Sequence, residues 1–152
     1  MKNVMDAAAV RLRAATDQDL PAIEAMLRTN GLPRAGVPDF IEDFVLAESG
    51  AEIVGAIGLE VHDVFGLLRS AAVASEWQGR GLGTALVERI ILNAKARGVQ
   101  TLYLLTTTAE RYFPSFGFSA IGREDVPQAL HASAEFRGAC PASATVMSLQ
   151  LA

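Results

Sequence analysis

An α/β domain with a mainly antiparallel mixed sheet flanked by helices is the fold class this chain predicts, and three observations carry it. Two apolar runs, 44–48 and 53–61, are separated by Ser49-Gly50 and read as a hairpin. A third run, 64–73, follows the polar pair His62-Asp63, so the sheet begins antiparallel. The stretch 82–97 then repeats Leu82, Leu86, Ile90 and Ala94 every four residues, the period of a helix that packs one face on that sheet.

The other elements follow in order. Residues 10–14 alternate apolar and basic side chains, as a half-buried first strand does. Thr16-Asp17 supplies capping side chains for a helix carrying Leu20, Ile23, Met26 and Leu27, which stops at Asn30-Gly31. Pro33, Gly36 and Pro38 make the next stretch a loop suited to walling a cleft, and Asp39 caps a short turn through Phe40, Ile41 and Phe44. Beyond the long helix, which ends in Arg97 and a glycine stop, 99–106 is a strongly apolar strand, 109–115 a short helix and 118–121 another strand. Residues 126–132 read as helical, 133–143 as irregular and 145–151 as a last strand.

With 152 residues the chain suits one domain over its whole length. It is 51% hydrophobic, and its formal charge of −4 argues against broad nucleic-acid binding, which runs on a basic excess. The first nine residues contain no signal-peptide apolar region and no run reaches membrane-spanning length, so the expectation is a soluble cytoplasmic protein without a membrane partner. Cys140 is the only cysteine; it excludes an internal disulfide, and with His62 and His131 it cannot close a zinc site, so no metal is expected. A Cys140–His131 nucleophilic pair stands against an inert thiol before Pro141.

The most informative local pattern is Trp77-Gln78-Gly79-Arg80-Gly81-Leu82-Gly83-Thr84, lying between a strand and a helix. Its glycines let the backbone approach a ligand and turn amides inward, and the helix start behind them adds partial positive charge. A diphosphate suits such a cradle. A Rossmann loop would read GxGxxG in a parallel unit, and a Walker loop would carry lysine before Ser or Thr; this GxGxG after an antiparallel hairpin is neither.

The order strand, Gln78-x-x-Gly81-x-Gly83, long helix, strand, short helix, Gly117-Phe118 resembles the GCN5-related N-acetyltransferase (GNAT) family over nearly the whole chain. The resemblance implies direct transfer of acetyl from acetyl-CoA to an amine, in a sheet splayed between the strands at 64–73 and 99–106. It implies that the backbone of Ala71, Ala72 and Val73 pairs with the pantetheine arm. Gly79, Arg80, Gly81, Leu82, Gly83 and Thr84 match the pyrophosphate turn, and Gln78 its first polar position. Arg80 either adds charge to the phosphates or is a solvated loop arginine.

A narrower likeness covers the second half. Leu104-Leu105-Thr106-Thr107-Thr108-Ala109, with Phe113, Gly117-Phe118 and Val126-Pro127, is similar to the acetyltransferase domain of N-acetylglutamate synthases. Ala134-Glu135-Phe136-Arg137-Gly138 and then Cys140 to Thr145 look closer to small acetyltransferases linked to arsenic-resistance gene clusters. Both imply a small amino acid or an analogue as acceptor, with Thr107 and Arg137 on its side. A homodimer is a further family expectation, tied to exposed strands near the C-terminus. A single Cys140 cannot trap arsenic through several thiolates, so an arsenic link would require modification of a small molecule.

Many members of the wider family place Asn at the strand end and Tyr seven residues later, where this chain has Thr106 and Phe113. Phe113 cannot protonate a CoA thiolate. Tyr112, one residue away and about 100° round a helix, is the candidate acid or simply a packed aromatic. The amine must lose a proton. Glu60, the acidic residue inside an apolar strand run, is the candidate base beside His62 and Asp63, or a solvated strand-end carboxylate. Arg69, in a strand covered on both faces, needs a partner: a substrate carboxylate, or an ion pair with Glu60 or Asp63. Strand amides would stabilise the developing oxyanion. Two other readings stay open, acetylation of a protein N-terminus or lysine and a non-catalytic acyl-CoA-binding module.

Overall fold

The computed structural model describes residues 10–151, and the opening residues read above for a leader lie outside that range. Its elements are β1 (Arg11–Ala14), α1 (Leu20–Thr29), β2 (Val45–Ser49), β3 (Glu52–His62), β4 (Phe65–Val73), α2 (Leu82–Ala96), β5 (Thr101–Thr106), β6 (Ser119–Ile121) and β7 (Thr145–Gln150). The strands form one sheet in the order β1-β2-β3-β4-β5-β7-β6. β1 to β4 are antiparallel neighbours, β4 and β5 are parallel, and β7 pairs antiparallel with both β5 and β6. Among the described residues, no helix is long and apolar enough to cross a membrane.

Both faces of the sheet are covered, which is why β3 and β4 read as nearly continuous apolar runs rather than as alternation. On one face α2 buries Leu82, Leu86, Val87, Ile90 and Ala94 against Val54, Ile57, Leu59 and Leu68. On the other, Ile23 and Leu27 of α1 join Val37, Ile41 and Phe44 over Leu46, Ala56 and Ala72. Each large side chain so buried contributes roughly 1.5–3 kcal/mol. Gly58 is a close-approach position, since a Cβ there would stand 2.4 Å from the Phe44 ring.

The sheet opens as expected between β4 and β5. Their parallel pairing extends only over Phe65–Thr101, Gly66–Leu102 and Leu67–Tyr103, after which the strands part. On its other edge β4 carries a bulge: Gly58 faces Arg69 and Ala56 faces Ala72, so Ile57 stands opposite two residues, Ser70 and Ala71. A bulge bends its strand and re-aims side chains. Ser70 adopts φ 61, a left-handed conformation that costs a non-glycine residue about 1–3 kcal/mol and persists only where surroundings enforce it.

Two expectations need correction. The 109–115 helix is not formed; a 3₁₀ turn runs Phe113–Phe116 instead, because Pro114 lacks the amide an α-helix interior requires and Gly117 turns the chain with φ 104. The 133–143 segment is not wholly irregular: Glu135–Ala139 is a π-type turn, closed by bonds from the Ala139 amide to the Ala134 carbonyl and from the Cys140 amide to the Glu135 carbonyl. The last strand forms as expected, at Thr145–Gln150, and lies between β5 and β6, so the sheet edge on that side is the three-residue β6.

Candidate active site

The parting strands enclose a cleft of about 660 Å³. One wall is β4 from Leu68 to Val73, the other runs from Leu104 to Ala109, and Gly83, Leu86 and Val87 of α2 close the end beside the glycine turn. Ala71, Ala72 and Val73 lie beyond the last β4–β5 pair, so their β5-facing edge has no strand partner. It can pair with the amides of an extended ligand.

At the mouth, α2 starts at Gly81, φ 89, with no side-chain cap. The first amides of an uncapped helix lack internal acceptors and favour an anion. A side chain at Gly79 (φ 78) or Gly81 would touch nothing within 4 Å, so backbone conformation, not crowding, demands glycine there. Gln78 donates its side-chain amide to the Val73 carbonyl at 3.0 Å, tying the turn to the end of β4. The Arg80 guanidinium lies over the Trp77 ring, 4.9 Å from its centre. Leu82 turns its side chain into the core, and Thr84 Oγ1 lies 3.2 Å from the Tyr112 hydroxyl.

Deeper in, Arg69 is 2% exposed and its guanidinium is engaged on several sides. Nη1 donates to Glu60 Oε2 at 2.8 Å and to the Ala35 carbonyl at 2.7 Å, Nη2 to the Pro33 carbonyl at 3.2 Å, and Nε to Ser70 Oγ at 2.9 Å. The ion pair with Glu60, one of the two partners the sequence left open, is therefore made internally. Arg69 also pins the Pro33–Gly36 loop against the cleft and holds Ser70 in its left-handed turn. Gly36 must be small here, since a Cβ would stand 3.2 Å from Nη1.

Glu60 is fully buried and its other oxygen accepts from, or shares a proton with, His62 Nε2 at 2.8 Å. It lies behind Arg69 and is not among the residues lining the cleft. It is thus not a solvated strand-end carboxylate. The carboxylate that does line the cleft is Glu135, 4% exposed, with Oε2 3.5 Å from Arg69 Nε. Burial pushes Glu135 up to about 7, against the opposing pull of Arg69. Burial and the nearby Glu135 push the Cys140 thiol up to about 12, the direction of an unactivated thiol.

Thr107 is exposed on the cleft wall, while Thr106 Oγ1 accepts from the amides of Thr108 and Ala109 and fixes the turn after β5. Tyr112 lines the cleft with its hydroxyl toward the α2 start, and Phe113 is buried among Phe116 and Phe118. No α-helix carries Tyr112, so a 100° rotation from Phe113 does not describe it. Arg137 is exposed and outside the cleft lining; it and Arg69 do not converge. Sequence reasoning missed Glu135 as a site residue. Its signal was a lone acidic residue between Ala134 and Phe136, in a segment whose placement only tertiary packing supplies.

A sheet parted between neighbouring parallel strands, with a glycine turn and an uncapped helix at the opening, is the acyltransferase type of α/β fold. Residues 41–120 match the family model described as the acetyltransferase (GNAT) domain, and the chain belongs to that family. Among curated proteins it is 35% identical over 91 residues to an amino-acid acetyltransferase from Pseudomonas fluorescens, covering 59% of this chain and 21% of that one. It is 29% identical over 91 residues to an uncharacterised N-acetyltransferase from Chlorobaculum tepidum, covering 59% and 58%. The chain thus spans about a fifth to three-fifths of the length of these relatives. Among solved structures it superposes on N-acetylglutamate synthase from Neisseria gonorrhoeae complexed with coenzyme A and N-acetyl-glutamate (TM-score 0.80, 23% identity, 94% of this chain and 35% of that one). Rv2747 from Mycobacterium tuberculosis in complex with CoA gives TM-score 0.76 at 23% identity, covering 93% and 99%. At those identities the likeness establishes the fold.

Proposed function

We propose that this protein transfers acetyl from acetyl-CoA directly to the amine of a small amino acid or an amino-acid analogue within a ternary complex. The carrying observation is the unpaired edge of Ala71, Ala72 and Val73 running from the α2 start into the cleft. The diphosphate would lie on the amides of Gly79, Gly81, Gly83 and Thr84, where an uncapped helix and two positive-φ glycines suit an anion. Arg80 and Gln78 support that turn from the outside, one through Trp77 and the other through Val73. The pantetheine amides would pair with the β4 edge, and the thioester carbonyl would be polarised by strand amides at the bulge.

A small acceptor is favoured because the far end of the cleft is walled by two tethered segments. Arg69 holds the Pro33–Gly36 loop, and the Glu135–Ala139 turn with Cys140 and Pro141 covers the other side. A protein N-terminus or a lysine on a folded surface needs an open groove instead. The amino-acid acetyltransferases among the relatives support the same acceptor class. Thr107 stands where it can contact the acceptor, whereas Arg137 is left to act at the surface.

The deciding experiment measures CoA thiol release from acetyl-CoA with a panel of amino acids, simple amines and peptides. Turnover is expected on at least one small amino acid or analogue, and silence on all of them sinks the proposal. Phe113 at the usual tyrosine position favours one competing reading, a non-catalytic acyl-CoA-binding module. Calorimetric binding of acetyl-CoA without turnover on any acceptor selects it.

A further inference from the structure

Three titratable side chains are buried together at and just behind the cleft floor, where one guanidinium faces two carboxyl groups. Arg69 supplies one positive charge; Glu60 and Glu135 supply two carboxylates. Glu60 holds the stronger claim on Arg69, with a direct bond of 2.8 Å and a second contact to His62. Glu135 holds the weaker one. Its oxygen is 3.5 Å from an Arg69 Nε whose hydrogen is directed to Ser70 Oγ, and its other side-chain neighbour is the Cys140 thiol. An unpaired buried carboxylate is costly, so it either keeps its proton or finds a cation. Of the two carboxylates only Glu135 lines the cleft.

We infer that Glu135 is the group that seats the acceptor's ammonium in the cleft and removes its proton, making the incoming amine the second cation that this buried cluster lacks. The inference rests on the acetyltransferase proposal above. It also moves Arg69 from substrate contact to positioning, because Glu60 already neutralises it and Arg69 fixes the loop and bulge around the site. The charged or titratable groups facing Glu135 are Arg69 from β4, Glu60 from β3 with His62 behind it, and Cys140 from its own segment, which Arg123 faces in turn. Arg69 favours the carboxylate form while Glu60 opposes it, so an ammonium entering the cleft tips the balance toward the ionised base.

The step balances as follows. The ammonium gives one proton to the Glu135 carboxylate, which later passes it to water. The free amine nitrogen attacks the thioester carbon, the C–N bond forms and the C–S bond breaks. The second proton leaving that nitrogen ends on the CoA sulfur, and the amide keeps the third.

The test compares wild type and Glu135→Gln, using the best acceptor from the panel and following kcat/KM with pH. The wild type is expected to lose activity on the acid side with a bend near pH 7. Glu135→Gln is expected to lose that bend and at least about a hundredfold in rate, with calorimetric acetyl-CoA affinity unchanged. As a second readout, infrared spectra of wild type carrying labelled glutamate carboxyls, in complex with CoA, should lose a protonated-carboxyl band below pH 7 when the amine is added. Retention of the bend, a rate within about threefold of wild type, or a band indifferent to the amine overturns the inference while leaving the acetyltransferase proposal standing. A wild type silent on every acceptor overturns both.

Discussion

The two ends of the cleft are built by opposite means. The donor end, Gln78 to Thr84, is made of backbone: consecutive residues, open glycines and an uncapped helix start that any sequence with this local pattern would form. The other end is made of side chains brought from β3, β4 and the Glu135–Ala139 turn together with two carbonyls of the Pro33–Gly36 loop, and its two carboxyl groups, Glu60 and Glu135, stand 75 residues apart along the chain. Exposed backbone tolerates change around it; a buried charge cluster does not, because removing one member leaves the others unpaired in a poor solvent. The donor end should therefore fail in binding, and the acceptor end in folding and in proton transfer.

The largest expected effect follows from that asymmetry. Arg69→Met should lower stability by about 3–5 kcal/mol, since Glu60 is left charged and buried and two loop carbonyls lose their donor. Chemical denaturation measures it, and the double variant Glu60→Leu/Arg69→Met should recover most of the loss. A double variant as unstable as the single one would show that the loop tether, not the charge, dominates.

Glu135 tests the same cluster through pH. Its folded-state value is raised above the ordinary 4.5 to about 7, so the folded protein binds the proton more tightly than the unfolded chain does. Stability should fall as pH rises through that window, by up to about 3 kcal/mol for a shift of this size. Glu135→Gln should remove this slope in denaturation curves taken on either side of it. At Asp19 the sign is opposite: its bond to Arg13 holds it well below the usual carboxylate range, and the stability it adds is lost as pH falls into the acid region.

Next comes the donor end. Gly83 lies in the helix without unusual φ, and a Cβ there would make only ordinary contacts at 3.6 Å with the Tyr112 hydroxyl and 3.9 Å with Val73. Gly83→Val should leave the melting temperature nearly unchanged yet place methyl groups in the cleft, weakening acetyl-CoA at least about tenfold, or about 1.4 kcal/mol. Calorimetry decides it. The smallest effect is expected at Tyr112, which is part exposed and bonded to Thr84. Tyr112→Phe should change kcat less than about threefold, whereas loss of a true general acid would cost on the order of a hundredfold or more.

Legibility in the sequence followed the same division. The hairpin of β2 and β3 and the α2 stripe were readable because hydrophobic period and turn chemistry are local, whereas the opening between β4 and β5 was legible only through the family resemblance. Arg69 was readable as a charge in need of a partner, but which partner was not. Pro114 was visible in the sequence and should have argued against a helix at 109–115. Glu135 carried only a weak local mark: a lone acidic residue between Ala134 and Phe136, in a segment rich in glycine, alanine and serine, reads as surface until the chain folds over the cleft.

By itself the sequence determined the family, the sheet with its helices and the glycine turn before α2, because each rests on patterns between residues close along the chain. Tertiary structure alone decided that Arg69 spends its charge on Glu60, that Glu60 sits behind the cleft and that Glu135 faces it. Those outcomes depend on which distant side chains share one dehydrated volume, and the cost of burying unpaired charge is set by that company rather than by any residue's neighbours in sequence.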